Sequence, residues 1–283
     1  MSWQLLAGLS VSFFSLNGIF NRVIMKDVNS DPFAQTIVFS GLVGVFAFLI
    51  ALLRGGFHYQ ISLDQVPFFV LIALFLPAAS TLNYKSVQSL EASEASILLS
   101  SQKLWEVILA FFLLQETFSL SRLLGTIVVL VGVAVAQWRH ERFIINRGII
   151  FALLASLAYA CAEIASYFLL RVFDAPSLNV YSALFSALVL FSVRPQTYKK
   201  LSFYLRPKYL VSLLIVSFTS ALASIFLYSA YQVGRNASQL APILASEAAL
   251  TVMLAVVFLK ERNNIVQKMS GAIIVVTGIA LLF

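Results

Sequence analysis

Ionisable side chains are rare in the apolar stretches of this chain, and the few that occur there are the residues whose types suit chemistry. Lys103 and Glu106 lie in one such stretch, Glu163 in a second and Glu247 in a third. A charge placed in hydrocarbon is costly unless it finds a partner or lines a polar cavity. These four side chains are therefore the first candidates for a binding site inside the molecule.

The spacing of these residues leaves two interpretations open for each of them. Lys103 and Glu106 are three residues apart, so on a helix they can form an ion pair that serves packing alone. Glu247 has no opposite charge in its own stretch, which favours a place in a cavity or a role in proton coupling. Glu163 has Tyr159 and Tyr167 four residues to either side, and such a face can hold an ammonium group by charge and cation–π attraction. The alternative for Glu163 is a protonated carboxyl group hydrogen-bonded inside a helix bundle.

Uncharged polar residues extend the candidate site. Asn17 and Asn21 share one face of the first apolar stretch, and Gln102 precedes Lys103. Tyr228 either lines a cavity or belongs to an interfacial aromatic belt. Arg22 follows Asn21, and we expect its long side chain to reach the lipid headgroups.

Signals of enzyme chemistry are weak. His58 and His140 both lie in predicted loops without a second ligand at metal spacing, and no nucleophile elbow or P-loop is present. Cys161 is the single cysteine, so it has no partner for a disulfide or a zinc site. We therefore predict no catalytic residue, no metal and no cofactor.

Composition predicts the class of protein that holds these residues. The chain is 60% hydrophobic and only 11% charged, with a mean hydropathy of +0.93, which is typical of an integral membrane protein. Unbroken apolar runs of about twenty residues predict α-helices rather than a β-barrel. The net charge of +7 is concentrated between these runs, which favours contact with anionic lipid over nucleic acid.

Hydropathy and helix-breaking residues divide the chain into ten predicted transmembrane helices, of which the first is a retained helix rather than a cleaved signal. They are Trp3–Met25, Pro32–Leu53, Val66–Ser86, Ser93–Leu114, Leu120–Gln137, Gly148–Val172, Ser177–Val193, Tyr209–Gln232, Ser238–Leu259 and Ile265–Phe283.

An internal repeat organises these helices into two halves. Gly125-Thr-Ile-Val-Val-Leu-Val-Gly132 recurs as Gly271-Ala-Ile-Ile-Val-Val-Thr-Gly278, about half a chain later. We predict a first five-helix repeat over residues 1–138, a connecting loop over 139–147 and a second five-helix repeat over 148–283. Because each half crosses the membrane an odd number of times, the repeats are expected to be inverted, an arrangement typical of transporters with one central site. The alignment pairs Gln102 with Glu247, so we expect Lys103 and Glu247 to flank that site.

Two further features follow from the repeat. The glycines of each pair are seven residues apart, and such spacing predicts a smooth packing seam between the fifth and tenth helices. Most of the loop Lys and Arg residues fall on one predicted side of the membrane, which by the positive-inside rule is the cytoplasm and leaves both termini outside.

At the repeated stretches the sequence resembles the EamA-like transporters of the drug/metabolite transporter superfamily, which includes amino-acid exporters of the YddG type. The resemblance rests on Leu114-Gln-Glu116 and Leu259-Lys-Glu261, on the glycine-bearing fifth and tenth helices, and on the segment Gly148–Tyr159. It covers essentially the whole chain. The family often has Trp-Gly in its first helix, where this chain has Asn17-Gly18, and a proline in mid-fourth helix, where it has Gln102-Lys103. It is also usually drawn with cytoplasmic termini, against the loop charges.

The resemblance implies a secondary-active or facilitative transporter in the bacterial cytoplasmic membrane, as a monomer or homodimer in the lipid bilayer. With the polar residues above, it favours a small polar metabolite, first an amino acid or related zwitterion, with Lys103 meeting a carboxylate and Glu247 or Glu163 an ammonium group. A proton is a candidate coupling ion. The alternatives are a transporter or flippase of a lipid-like or drug-like amphiphile and a membrane-embedded enzyme.

Overall fold

The computed structural model describes residues 1–27, 29–114, 120–137, 146–204, 206–234, 237–260 and 264–282, and within these ranges the protein is all-helical. The α-helices are α1 (Trp3–Met25), α2 (Pro32–Leu53), α3 (Val66–Ser89), α4 (Ala92–Leu99), α5 (Gln102–Leu114), α6 (Leu120–Gln137), α7 (Arg147–Leu169), α8 (Ala175–Val193), α9 (Tyr198–Tyr204), α10 (Pro207–Gly234), α11 (Ala237–Leu254) and α12 (Ile265–Leu282).

Side-chain caps explain where several of these helices begin. Ser2, Asp31, Asn146 and Asp174 each lie just before a helix, and each side chain accepts a hydrogen bond from a backbone N–H of the first turn. Pro32 and Pro176 follow two of these caps, at positions where a missing N–H costs nothing.

Six described helices are long and apolar enough to cross a membrane: Trp3–Met25, Pro32–Leu53, Leu63–Ser89, Arg147–Leu169, Ala175–Val193 and Tyr209–Val233. Shorter apolar helices cover Ser246–Leu259 and Ile265–Gly278. The predicted bounds of α1, α2 and α6 agree with the structure, and α3, α7, α8, α10 and α12 differ from prediction by a few residues. The count of ten membrane crossings and the inversion of the halves stay predictions.

The fourth predicted helix is wrong as a single element, because α4 ends at Leu99 and α5 begins at Gln102. At the break, the N–H of Ser101 bonds the carbonyl of Leu98 and the N–H of Lys103 bonds that of Ser100, so the chain tightens to i→i+3 bonding. The hydroxyls of Ser100 and Ser101 donate to the carbonyls of Ser96 and Leu98. These bonds satisfy polar groups that the break exposes within an apolar bundle.

Two other elements differ from prediction. The short helix α9 was not predicted, since a scan for long apolar runs passes over seven residues that carry Lys199 and Lys200. The predicted helix Ser238–Leu259 is α-helical only to Leu254 and continues as a π-helical turn over Ala255–Leu259. Glu116 and Glu261, which carry part of the family resemblance, lie outside the described residues.

Two buried cores lie at opposite ends of the bundle. The first joins the start of α1, the start of α3, the end of α7 and the start of α8, and it contains the aromatic side chains that define the aromatic end: Phe57, Phe69, Phe173, Tyr181 and Phe185. The second joins the end of α1, the end of α3 and the start of α10. Around it lie the cations that define the basic end, Lys85, Arg194, Lys199, Lys200 and Arg206.

The principal helix pairs are α1 with α10, α3 with α7, α2 with α8, and α6 with α12. The α6–α12 pair is the predicted glycine seam. A Cβ on Gly132 would lie 2.7 Å from the backbone nitrogen of Val275, and a Cβ on Gly278 would lie 2.6 Å from that of Val129. The backbones touch here because these two positions have no side chain.

Arg22 has a partner on the neighbouring helix, because its guanidinium Nη1 donates to the backbone carbonyl of Val87 on α3. Its reach to the lipid headgroups stays a prediction. A carbonyl near the end of α3 has no partner further along its own helix, so it is a ready acceptor for a cation from the neighbouring α1.

Candidate functional site

A cavity of about 290 Å³ lies between the helices and collects most of the predicted site residues. Its wall includes Asn17, Gln102, Lys103, Tyr159, Glu163, Tyr228 and Glu247, which come from α1, α5, α7, α10 and α11. Glu106 is not part of the wall, although it contacts Lys103 directly. Seven of the eight predicted site residues therefore share one cavity.

Lys103 is paired with an acid on its own helix. Its Nζ lies 2.9 Å from both carboxylate oxygens of Glu106, and the Gln102 side-chain amide donates to the same carboxylate at 2.9 Å. The side chains of Lys103 and Glu106 are only 13% and 16% exposed, so little solvent screens the pair. The ion-pair interpretation drawn from the i,i+3 spacing thus matches the contact that forms.

The helix break places this group at the cavity. Ser100 and Gln102, on either side of the break, both belong to the cavity wall, and Lys103 follows in the first turn of α5. The hydroxyl of Ser101 also lies 2.8 Å from the hydroxyl of Ser156, which fastens the break to α7. The polar run of residues 100–103 thereby enters the bundle beside the helix that carries Glu163.

Glu163 and Glu247 differ from Glu106 because neither carboxylate has a hydrogen bond or ion pair within the described part of the chain. Both carboxylates interact electrostatically with the Lys103 ammonium group, so the three charged groups lie close enough to influence one another. Lys103 is also the only Lys or Arg on the cavity wall among the described residues. Since Glu106 already balances Lys103, the cavity holds two carboxylates beyond that neutral pair.

The aromatic residues around Glu163 divide between two roles. Tyr159 lies on the cavity wall, and its hydroxyl donates to Ser80 on α3 at 3.3 Å. Tyr167 is absent from the wall, and its ring packs edge-on against Tyr231 at 6.0 Å. Of the predicted three-residue face of α7, Tyr159 and Glu163 therefore line the cavity and Tyr167 does not. Tyr84 on α3 and Tyr228 on α10 supply the other two tyrosines of the wall.

Polar residues that the sequence analysis did not single out also line the cavity. They include Asn83 on α3, Asn179 on α8 and Thr251 on α11. Asn179 donates to the backbone carbonyl of Ala221, but the Oδ1 of Asn83 and the Oγ1 of Thr251 are buried without a hydrogen-bond partner. Asparagine within a predicted membrane helix is the available signal for Asn83 and Asn179, the same signal that singled out Asn17 and Asn21.

The cavity extends toward one end of the molecule. Along α1 its wall runs from Phe14 to Asn21, and along α3 it runs from Leu76 to Val87, close to where that helix ends. Ala92, at the start of α4, belongs to the same wall. These residues lead to the basic end, whereas none of the five side chains that define the aromatic end lines the cavity.

Close ring packing fills the aromatic end. The ring of Phe173 contacts those of Phe69 and Tyr181 with centroids 5.4 and 5.7 Å apart, and His58 lies 4.8 Å from it. The Tyr181 hydroxyl donates to the His58 carbonyl at 3.1 Å, which ties the loop before α3 to α8. These rings therefore pack closely against one another at this end, and none of the five that define it lines the cavity.

Ion pairs and caps order the basic end. Asp31 caps α2 by accepting from the N–H groups of Phe33 and Ala34, and it pairs with Lys200 of α9 at 2.6 Å. Partial burial acts to raise the pKa of Asp31, but the Lys200 ammonium and the two backbone donors outweigh it and hold that pKa below 3.8. Burial raises the pKa of Tyr204, whose hydroxyl bonds the backbone of Asp31. The short helix α9 is thus fixed to the start of α2.

Comparison with known proteins assigns the chain to a family. The model of the EamA-like transporter family matches residues 1–137 and 146–283, which is nearly the whole chain in two segments. The chain belongs to the EamA-like transporter family. With its membrane-length apolar helices, this EamA-like chain is a multi-pass membrane protein. Its family points to transport rather than to enzyme catalysis.

Two individual proteins are similar to this EamA-like chain. An uncharacterized transporter from Methanothermobacter thermautotrophicus is 28% identical over 133 residues, an alignment that spans 46% of this chain and 37% of that relative's length. A solved crystal structure shares the fold with a TM-score of 0.69 and 14% sequence identity, over 99% of this chain and 95% of the other. The fold is therefore one already known from experiment.

Proposed function

We propose that this EamA-like protein is a secondary-active or facilitative transporter of a small polar metabolite that carries an ammonium group, first an amino acid or a related zwitterion. The observation that carries the proposal is the pair of unpartnered carboxylates, Glu163 and Glu247, on the wall of a cavity whose single described cation is already balanced.

Charge balance favours a cationic group at this place. Two carboxylates in a poorly screened cavity attract an ammonium group strongly, because opposite charges interact more strongly as the local dielectric constant falls. The rings of Tyr159 and Tyr228 on the same wall add cation–π attraction. The site therefore suits an ammonium group better than a free anion.

Lys103 contributes less to substrate binding in this proposal than the sequence suggested, because Glu106 already neutralises its charge. An ammonium group has three N–H donors, and Glu106 engages Lys103 through both carboxylate oxygens. The third donor is shared between the Tyr231 hydroxyl and the carboxylate of a zwitterion whose own ammonium group sits at Glu163 or Glu247. The zwitterion then adds no net charge to the cavity.

The inverted two-half arrangement is part of the proposal, with residues 1–138 and 148–283 as the halves. It is supported by the helix pairs, since exchanging the predicted equivalents converts the α1–α10 pair into α7–α3 and leaves α2–α8 and α6–α12 unchanged. The seam supports it too: Gly132 meets Val275 and Gly271, while Gly278 meets Val129 and Gly125. The offset is 146 residues each time (278 − 132, 275 − 129, 271 − 125).

Alternating access is the mechanism that these features favour. The cavity wall leads to the basic end, and the packed rings of the aromatic end do not line it, which supports a transporter open to one side. Rocking of the two halves would part the rings and narrow the opposite end. Glu163 and Glu247 would hold either a proton or the ammonium group, so a proton is the coupling ion we propose.

The direct test is uptake of radiolabelled amino acids by purified protein in liposomes, with the external pH varied. We expect uptake that depends on pH in the wild-type protein, and a large loss of both rate and pH dependence in Glu247→Gln and Glu163→Gln. Asp64→Asn is the matched control, since this carboxylate is exposed outside the helices that line the cavity. Absence of uptake of every amino acid, or unchanged pH dependence in both glutamine variants, would refute the proposal.

A further inference from the structure

The cavity has a second polar region that the charged groups do not explain. Asn17 and Asn21 on α1 and Asn83 on α3 form what we call the amide cluster, and all three belong to the cavity wall. Asn17 and Asn21 are only 5% and 8% exposed. Such buried amides are costly unless something completes their hydrogen bonds.

The unpartnered atoms of the amide cluster include both donors and acceptors. The Oδ1 of Asn17 accepts from the Thr219 hydroxyl at 2.6 Å, which leaves the Nδ2 donor of Asn17 without a partner. The Oδ1 atoms of Asn21 and Asn83 are buried acceptors without a partner. One donor and two acceptors therefore remain on this part of the wall.

We propose that the amide cluster is a side-chain subsite for an uncharged carboxamide on the transported zwitterion. A carboxamide has one carbonyl oxygen to accept from Asn17 and two N–H groups to donate to Asn21 and Asn83. A hydroxyl group brings one donor, and a carboxylate brings none and would face two acceptor oxygens. A carboxamide therefore matches the one free donor and two free acceptors of the amide cluster.

The position of the cluster agrees with a ligand that spans both polar regions. The Ser15 hydroxyl donates to the backbone carbonyl of Glu247 at 3.3 Å, so Ser15 marks the level of Glu247 on α1. Asn17 lies about 3 Å and Asn21 about 9 Å further along the axis, at about 1.5 Å per residue. A zwitterion with its ammonium group at Glu247 thus has its side chain directed along α1 toward the amides.

The proposal rests on the proposed function, because it assigns a side chain to the zwitterion placed at Glu163 and Glu247. Its test compares L-glutamine, L-glutamate and L-norleucine as competitors of uptake in liposomes and as ligands that raise the thermal stability of purified protein. We expect glutamine to act at concentrations about tenfold to a hundredfold lower than the other two, because an analogue that cannot make these bonds leaves buried amides unpaired.

Variants separate a subsite from amides that are merely hydrated. Asn21→Leu is expected to abolish the preference for glutamine over norleucine, measured as the ratio of the concentrations at which the two compounds raise the thermal stability of the purified variant. Asn179→Ala is the matched control, since Asn179 lies on the same wall but already bonds the Ala221 carbonyl, and we expect it to keep the preference.

The outcomes distinguish this inference from the proposed function. Equal competition by all three compounds in the wild-type protein would overturn the subsite and leave the proposed function standing. An Asn21→Leu variant that is more stable and keeps the glutamine preference would also overturn it, as water alone would then occupy the amides. Failure of every zwitterion to bind or move would overturn both.

Discussion

The Nζ of Lys103 lies 2.9 Å from both carboxylate oxygens of Glu106, one helical turn away. The strongest positive group of the cavity is therefore balanced before any ligand arrives. A substrate meets two free acids and one neutralised base, which is why we favour recognition of an ammonium group over capture of an anion.

The Lys103–Glu106 pair yields the first prediction. Glu106→Gln leaves a buried ammonium group without its counter-ion and is expected to lower the free energy of unfolding by about 3–5 kcal/mol. The double variant Lys103→Met with Glu106→Leu removes both charges and should recover most of that loss. Thermal unfolding in detergent of Lys103→Met, Glu106→Leu and the double variant checks the coupling, and additive losses would contradict the pairing.

Substitutions in the glycine seam give the second prediction. Gly132→Ala and Gly278→Ala each place a Cβ within 2.7 Å of a backbone nitrogen on the facing helix, so α6 and α12 must separate. We expect a loss of about 1–3 kcal/mol for each. Gly8→Ala and Gly41→Ala are the controls, because nothing lies within 4 Å of a Cβ there and a helical alanine should stabilise by up to about 1 kcal/mol. Equal effects at seam and control sites would count against close packing.

The cap at Asp31 gives a prediction about pH. The pKa of Asp31 is held below its ordinary 3.8, so its stabilising effect is complete above that pH and disappears as the pH falls through the lower value of the folded protein. Asp31→Ala removes cap and ion pair and should cost about 0.5–2 kcal/mol at neutral pH. Asp31→Asn keeps a capping oxygen and should cost less, since Lys200 is largely exposed and such pairs contribute little.

The measurement for Asp31 is apparent melting temperature in detergent from pH 3 to pH 7. Wild type and Asp31→Asn should differ by a constant amount above pH 4 or so and converge below it. A difference that widened on acidification would show that the charged carboxylate does not stabilise the fold.

The aromatic end gives a prediction about leakage. Phe173→Ala removes a buried ring that contacts Phe69, Tyr181 and His58, and it should cost about 3–5 kcal/mol. We also expect faster efflux of preloaded substrate without a counter-substrate, because the layer that closes the cavity is thinned. Tyr181→Phe is the control, since it retains the ring and loses only the bond to the His58 carbonyl. Unaltered efflux in Phe173→Ala would show that closure lies elsewhere.

Hydropathy predicted the long helices well because membrane insertion depends on length and apolar content, and the bounds of α1, α2 and α6 agree with the structure. It missed the break at Ser100-Ser101 because serine hydroxyls bond the freed carbonyls locally, so the surrounding run stays apolar. The i,i+3 spacing of Lys103 and Glu106 anticipated their contact. The roles of Asn83 and Thr251 depend on which helices surround them, and a single sequence does not contain that information.

The seam between α6 and α12 has a mechanical consequence. Its contacts are exchanged for one another when residues 1–138 and 148–283 are interchanged, so the same seam would return in the alternating-access cycle that we propose. The α1–α10 and α3–α7 contacts would instead trade places. In such a cycle the contact between the glycine backbones would keep the same partners while the other helix pairs change theirs. A cross-link between α6 and α12 is therefore expected to leave turnover intact, whereas a cross-link between α3 and α7 is expected to stop it.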